Sequence, residues 1–367
     1  MSLVSNITVD RDRAIDHARG VASLIMIQGH AFHAWVAPAH KGDNSYLLTR
    51  VFATLPLPAF LVLAGAAVAY RARSATTKGE SCAALRRSLV HRGLQVVIAG
   101  YLVNAAYALL DGIDSLETLL RADVLQVIGL SIATLGLCAG GAVSVVQPKR
   151  LMFGALLVAV VLTLLCAPLS QWAQTSSGSL PLAPRALLAA FLDVPALTRM
   201  PYVPLFAWAA IGHAAGYFLA RADPTVRNRQ LGWLAAIALA TAALGHWATA
   251  WALDGEPLSR SHVAVVWNVI EYAGRGLCVL SIGPLLVARM PQSVQRIVSQ
   301  MGRASLWAYV FHIPFCYGRL GQHLYAKHSV LTALPYVLLL IAASYAVVRL
   351  RLAWPRLRLS TRQAAST

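Results

Sequence analysis

Ten stretches of this 367-residue chain are each long and apolar enough to cross a bilayer, and no other feature constrains the fold as strongly. They lie at about 20–38, 51–70, 89–110, 124–146, 151–169, 202–220, 231–252, 263–287, 304–322 and 330–349. A helix needs about 20 mainly apolar residues to cross roughly 30 Å of hydrocarbon. The runs are continuous, not alternating ten-residue segments, so they predict helices and not barrel strands. Each is bounded by charge or by Pro, Gly and Ser, which end helices. Charged residues make up 12% of the chain and hydrophobic ones 58%, where a soluble globular protein carries about 25% charge. The chain therefore reads as an all-α polytopic membrane protein. A single transmembrane domain is expected over residues 1–367, with its core at 13–350.

The net charge of +17 invites a nucleic-acid reading, but the cations form no long block and no aromatic-interleaved stripe. They sit in short clusters between apolar runs. Of the 31 lysines and arginines, 22 fall on one side if ten spans alternate: around Arg11–Arg19, Arg71–Arg92, Lys149–Arg150, Arg221–Arg229, Arg289–Arg303 and Arg349–Arg362. Short cytoplasmic loops carry such an excess, so both termini are expected in the cytoplasm, and the protein in a bacterial cytoplasmic (inner) membrane. The first nineteen residues hold Asp10, Arg11, Asp12, Arg13, Asp16 and Arg19 with no apolar core, so no signal peptide is read there and the first span directs insertion. Five cysteines without CxxC spacing argue against a disulfide framework or a zinc site. The one long outer connection, about 170–201, contains a short apolar stretch, Leu182 to Val194. That stretch is either an interfacial or re-entrant helix capping an outer cavity or a plain surface loop.

An ionisable side chain within the hydrocarbon costs about 2.5–3.5 kcal/mol on insertion scales, so each needs an explanation. The first span carries His30 near mid-depth, His33 one turn on and His40 at its outer end. They are either neutral imidazoles bonded to neighbouring helices or a proton-handling site in the outer half of the membrane. Three histidines in eleven residues favour the site. The eighth span holds Asn268, Glu271 and Arg275, the last two an i, i+4 pair with the acid first. They either lock helices together or wall a polar cavity. His312 in the ninth span leaves the same choice, whereas His213 and His246 stand alone and read as structural. No ligand triad has metal-site spacing, so no metal is expected.

Five motifs in order then resemble the heparan-alpha-glucosaminide N-acetyltransferase-like family of transmembrane acyltransferases. They are Arg13-Ala-Ile-Asp16-His-Ala-Arg19-Gly20 with Met26 and His30; Leu57-Pro58-Ala-Phe60-Leu-Val-Leu-Ala64-Gly65; Asp123-Val-Leu-Gln-Val-Ile128-Gly129; Pro204-Leu-Phe-Ala-Trp208-Ala-Ala-Ile-Gly212; and Met301-Gly302-Arg-Ala-Ser305-Leu306-Trp-Ala-Tyr309-Val-Phe-His312. The resemblance implies acyl transfer across the membrane, from acetyl-CoA on the cytosolic side to a carbohydrate on the outer or lumenal side. In the animal enzymes the position of His30 is asparagine and the active histidine follows further along, nearest to His40 here. His30 and His40 are thus the candidate catalytic histidines. Relatives also suggest a homodimer.

Such chemistry needs a base for the acceptor's proton, or a histidine that carries the acetyl group transiently. A developing oxyanion wants donors, for which Asn268, Arg275 or His33 serve, with Glu271 and His312 as polar cavity residues. Coenzyme A's phosphates want cytoplasmic cations. Arg71, Arg73, Arg86, Arg87 and Arg92 flank spans two and three, although topology alone also explains them. Asp16 and Arg19 either fix the start of the first helix or position the donor. A proton-coupled small-molecule transporter is the competing reading of the same intramembrane His, Glu and Arg residues. The charge bias predicts that a reporter active only outside the cytoplasm, fused after residue 80, is silent; strong activity there would reverse the orientation.

Overall fold

The computed structural model describes residues 13–111, 116–139, 146–221, 223, 225–253 and 262–364, excepting the side chains of 111 and 355–364. Asp10, Arg11, Asp12 and the final part of the expected 124–146 span lie outside the described residues, as do the side chains of Arg356, Arg358 and Arg362. The described chain forms α1 (Arg13–Trp35), α2 (Asn44–Ala53), α3 (Pro56–Thr77), α4 (Cys82–Asp111), α5 (Leu116–Leu120), α6 (Val124–Leu137) and α7 (Pro148–Ser176). It continues with α8 (Leu182–Ala189), α9 (Tyr202–Leu219), α10 (Arg227–Leu253), α11 (His262–Val287), α12 (Gln292–Arg303), α13 (Ser305–Cys316) and α14 (Val330–Ala364). No strand forms among the described residues; extended pairing is limited to two bridges, Val36 with His328 and Ala122 with Thr198.

Among the described residues seven segments are long and apolar enough to cross a membrane: Asn44–Thr77, Cys82–Leu110, Pro148–Ser179, Tyr202–Leu219, Arg227–Leu253, His262–Val287 and Val330–Trp354. This is an integral membrane protein. The other three expected spans differ in kind. Helix α1 has 23 residues but is studded with polar side chains. Helices α6 and α13 have only 14 and 12 residues, so at 1.5 Å per residue they extend about 21 and 18 Å. Asp123 and Gln126 start α6 at the expected position through a reciprocal capping box, and the helix is short because it ends early, at Leu137. Ala304, with φ −124° and ψ 33°, separates α13 from α12. The reading of 288–303 as a loop missed α12, whose polar sequence hides it from a hydropathy scan although Val298, Met301 and Gly302 are buried.

Helix α12 runs against α1, with Val298 beside Gly20 and Gly302 beside Asp16. Helix α13 then runs with α1: His312 meets His30, and the Trp35 indole donates to the Phe315 carbonyl at 3.2 Å. The start of α1, the end of α3 and the start of α10 share one end of the bundle, here called proximal; Arg227 reaches the Tyr70 hydroxyl there. At the distal end Ala37 pairs with His328 and Ala122 with Leu197, each at 2.8 Å. Helix α8 forms in the long connection, with Arg185 3.6 Å from Glu117. Outward-facing Leu94, Ile98 and Leu102 of α4 and Trp233, Ile237 and Trp247 of α10 are exposed, as a lipid-facing shell must be.

Lipid tails are as apolar as leucine, so burial alone does not hold such helices together; close packing at small residues does. Helices α3 and α9 show how. A Cβ at Gly65 would overlap the Ala209 carbonyl, and one at Gly212 would overlap Val62. These are the closing glycines of two motifs in the chain, and they interlock across one interface. Gly65→Val is expected to cost at least the 1–3 kcal/mol of an overpacked core and to lower the yield of monodisperse protein in fluorescence-detected gel filtration. Gly42→Val, with open space around it, should not.

Candidate functional site

A cavity of about 1760 Å³ runs between the helices from the proximal to the distal end. Its wall includes Arg19, Met26, His30 and His33 of α1, faces of α3, α4 and α6, and the short helix α13. The irregular backbone around Asp123, Arg199, Ala304 and Tyr317 lines it too. Non-helical backbone at membrane depth is tolerated where it borders such a water-accessible space, and that is why two helices here stop short.

His30 lies on the cavity wall, and its Nδ1 is 2.9 Å from Nε2 of His312. The rings stack with centroids 5.2 Å apart and 13° between planes. His312 is fully buried, and its Nδ1 donates to the Ala308 carbonyl at 2.8 Å, as an i−4 bond within α13. One neutral tautomer then satisfies the whole chain. With its proton on Nδ1, His312 accepts at Nε2; His30 donates from Nδ1 and keeps a bare lone pair on Nε2. Tyr317 stands edge-on to His30 at 5.4 Å, its hydroxyl 3.3 Å from His33 Nδ1. Tyr309 stands edge-on to His312 at 5.9 Å. Tyr107 ties α4 to α13 by donating to the Val310 carbonyl at 3.0 Å.

The distal wall is set by loop pairing. Arg199 N–H donates to the Ala122 carbonyl at 2.9 Å, which brings the guanidinium 3.7 Å from Asp123. Asn104 of α4 holds the same loop by donating to the Arg121 carbonyl at 2.7 Å. In the proximal wall, Arg71 donates to Glu80 at 2.6 Å and holds that carboxyl below its ordinary range. The other terminal nitrogen of Arg71 is buried and has no hydrogen-bond partner among the described residues. Arg19, Arg92, Arg303 and Arg351 also line this end; Arg19 lies 3.9 Å from Asp16.

The residues singled out in the sequence thus separate. His30, His33, Arg19, Arg71 and Arg92 line the cavity, and His312 backs it through His30. His40 does not reach it: it sits on an exposed turn, 3.0 Å from Asp43. Asp16, Arg73, Arg86 and Arg87 do not line it either. Nor do Asn268, Glu271 and Arg275, although Arg275 braces the wall from behind. It pairs with Glu271, donates to Thr54 at 2.8 Å and stacks over Tyr272 at 4.6 Å; Thr54 and Tyr272 both face the cavity. His246, read as standing alone, is corrected: its Nδ1 lies 3.1 Å from Glu271, a pairing across helices that spacing within one helix cannot show. His213 is buried at the α3–α9 crossing, 3.3 Å from the Gly65 carbonyl. Sequence reasoning missed Arg50, Arg199, Arg303, Arg351, Tyr309 and Tyr317 as wall residues. Among the described residues no group of three or more His, Cys, Asp or Glu could hold a metal ion.

Losing one partner of the Glu271–Arg275 pair leaves an uncompensated intramembrane charge. Arg275→Ala is therefore expected to lower the yield of folded protein more than the double change with Glu271→Ala; equal yields would show that the pair does not couple.

The family model described as heparan-alpha-glucosaminide N-acetyltransferase, catalytic, matches residues 11–253. No curated protein matches the chain. The matched segment carries His30, His33, Arg50, Asp123 and Arg199, whereas Tyr309 and His312 of α13 and Tyr317 just after it lie beyond that segment.

Proposed function

The chain belongs to the heparan-alpha-glucosaminide N-acetyltransferase catalytic family, and on that premise we propose that it moves an acetyl group from acetyl-CoA, entering from the cytoplasm, to a carbohydrate acceptor at the outer face. Membership makes it a membrane enzyme of the acetyltransferase type. The observation that carries the finer reading is one continuous cavity, which His30 faces from the wall between two ends lined with arginine.

The proximal end is assigned to the cytoplasm because the cationic clusters lie there. Arg19, Arg71, Arg92, Arg303 and Arg351 offer guanidinium forks to the donor's phosphates, and the unsatisfied nitrogen of Arg71 suits an anionic oxygen. Arg19 and His30 are eleven residues apart on α1, about 16 Å, a gap that an extended pantetheine arm bridges. The thioester carbonyl then sits beside His30, where an acceptor entering from the distal end meets it. One chamber holding both substrates supports direct transfer. The bare Nε2 of His30 takes the proton from the acceptor hydroxyl or amine as that group attacks the thioester carbon. The tetrahedral intermediate collapses with cleavage of the carbon–sulfur bond, and the proton passes to the departing thiolate, releasing CoA with a free thiol. The hydroxyls of Tyr309 and Tyr317 are the donors we assign to the developing oxyanion, in place of Asn268 and Arg275, which do not line the cavity. His312 keeps the His30 proton on Nδ1 and so keeps Nε2 available.

Membranes containing the protein, supplied with labelled acetyl-CoA, are expected to place label on carbohydrate. His30→Ala should stay folded and lower that transfer by about 10²–10⁴-fold, the worth of a positioned base. His40→Ala should leave it near normal. Loss of transfer in His40→Ala with retention in His30→Ala would exchange the two roles, and retention in both would remove the histidine mechanism.

A further inference from the structure

Outside the cytoplasmic cation clusters the chain has nine lysines and arginines, and four of them, Arg50, Arg121, Arg199 and Arg319, line the distal part of the cavity. The bias that concentrates cations in cytoplasmic loops works against this placement, so topology does not account for it. The four converge from separate elements: α2, the α5–α6 connection, the approach to α9 and the turn after α13. Among the residues lining the whole cavity there are nine arginines, no lysine, and one acid, Asp123. Asp123 is committed, since its Oδ1 accepts from the Val124 N–H at 2.7 Å to cap α6. Its contact with Arg199, at 3.7 Å, is longer than a hydrogen bond, and the Arg199 side chain is exposed. Arg50 is half-buried and makes no ion pair among the described residues. It sits one turn before Ala53, where α2 touches Gly29, the residue before His30. Arg50, Arg199, His30 and Tyr317 all line the same cavity.

A cation held against a low-dielectric wall without a counter-ion is unfavourable until an anion joins it, and arginine suits a two-oxygen anion such as carboxylate or phosphate better than lysine does. We propose that the distal half of the cavity is an oxyanion-binding subsite, in which Arg50 and Arg199 hold a carboxylate or phosphate carried by the acceptor sugar close to the group that is acylated. This rests on the transfer reading, in which the distal end receives the acceptor. Neutral sugars would then be discriminated against because they offer the two guanidinium groups no anionic oxygen for a charge-assisted hydrogen bond.

The test is equilibrium binding to the purified full-length protein, with the proximal end first saturated with CoA. Glucosamine 6-phosphate is titrated against glucosamine, and glucuronate against glucose. At least one anionic member is expected to bind about tenfold tighter than its neutral partner, the worth of one charge-assisted hydrogen bond. That preference should weaken with added salt. The pair showing it tells phosphate from carboxylate. Arg50→Gln and Arg199→Gln should each bring the two affinities together while CoA binding persists, which shows that the variants are folded. Equal binding of charged and neutral sugars, no anionic binding in the millimolar range, or a preference that survives both substitutions would overturn the subsite. Failure of CoA to bind while the anion preference remains would instead remove the transfer reading and leave the subsite standing.

Discussion

Within hydrocarbon no water is available to satisfy a stray backbone N–H, carbonyl or side-chain charge, and the architecture follows from that requirement. Every irregular segment at depth has to border protein or a wet cavity. The break at Ala304, the capped start of α6 at Asp123, and the turns carrying Arg199 and Tyr317 all border the same cavity. The two short helices are therefore not defects in an otherwise regular bundle. Their ends supply the polar backbone and side chains that a full-length apolar span would have excluded, and the long helices α4, α10 and α14 face lipid around them.

The same requirement sorts the intramembrane charges into two kinds. Glu271, Arg275 and His246 satisfy one another across α10 and α11, and Arg275 extends the network to Thr54. That cluster stiffens the wall near Tyr272 without entering the cavity. The cavity arginines are different: nine line the wall beside one lining aspartate, and although Arg19 and Arg71 also reach Asp16 and Glu80 outside that lining, the balance suits anionic ligands at either end. Between the two ends, the stacked pair of His30 and His312 joins α1 to α13. It thus couples a residue inside the family-matched segment to one beyond it.

Much of the site was legible because ionisable residues are conspicuous in apolar runs. His30, His33 and His312 stood out for that reason, and so did Glu271 and Arg275, although the last two proved to brace the wall instead of lining it. Arg50, Arg199 and Tyr317 were not legible, since they lie in or beside connections where arginine and tyrosine attract no notice. A signal existed in the four distal arginines that run against the charge bias, but only their convergence on one space gives them meaning. Helix α12 escaped for the opposite reason: hydropathy finds what lipid can cover, and α12 is polar apart from the strip that meets α1.

By itself the sequence determined the membrane setting, the helical class and the register of polar residues along each span, because the cost of placing polar groups in hydrocarbon is local and can be summed over a window of residues. It did not determine which helices are neighbours. Lipid and leucine are equally apolar, so the pairing of helices depends on close backbone approach at sites such as Gly65 with Ala209 and Gly20 with Val298. Only that packing brings His30 and His312, 282 positions apart, into one hydrogen bond, and leaves His40 on an exposed turn.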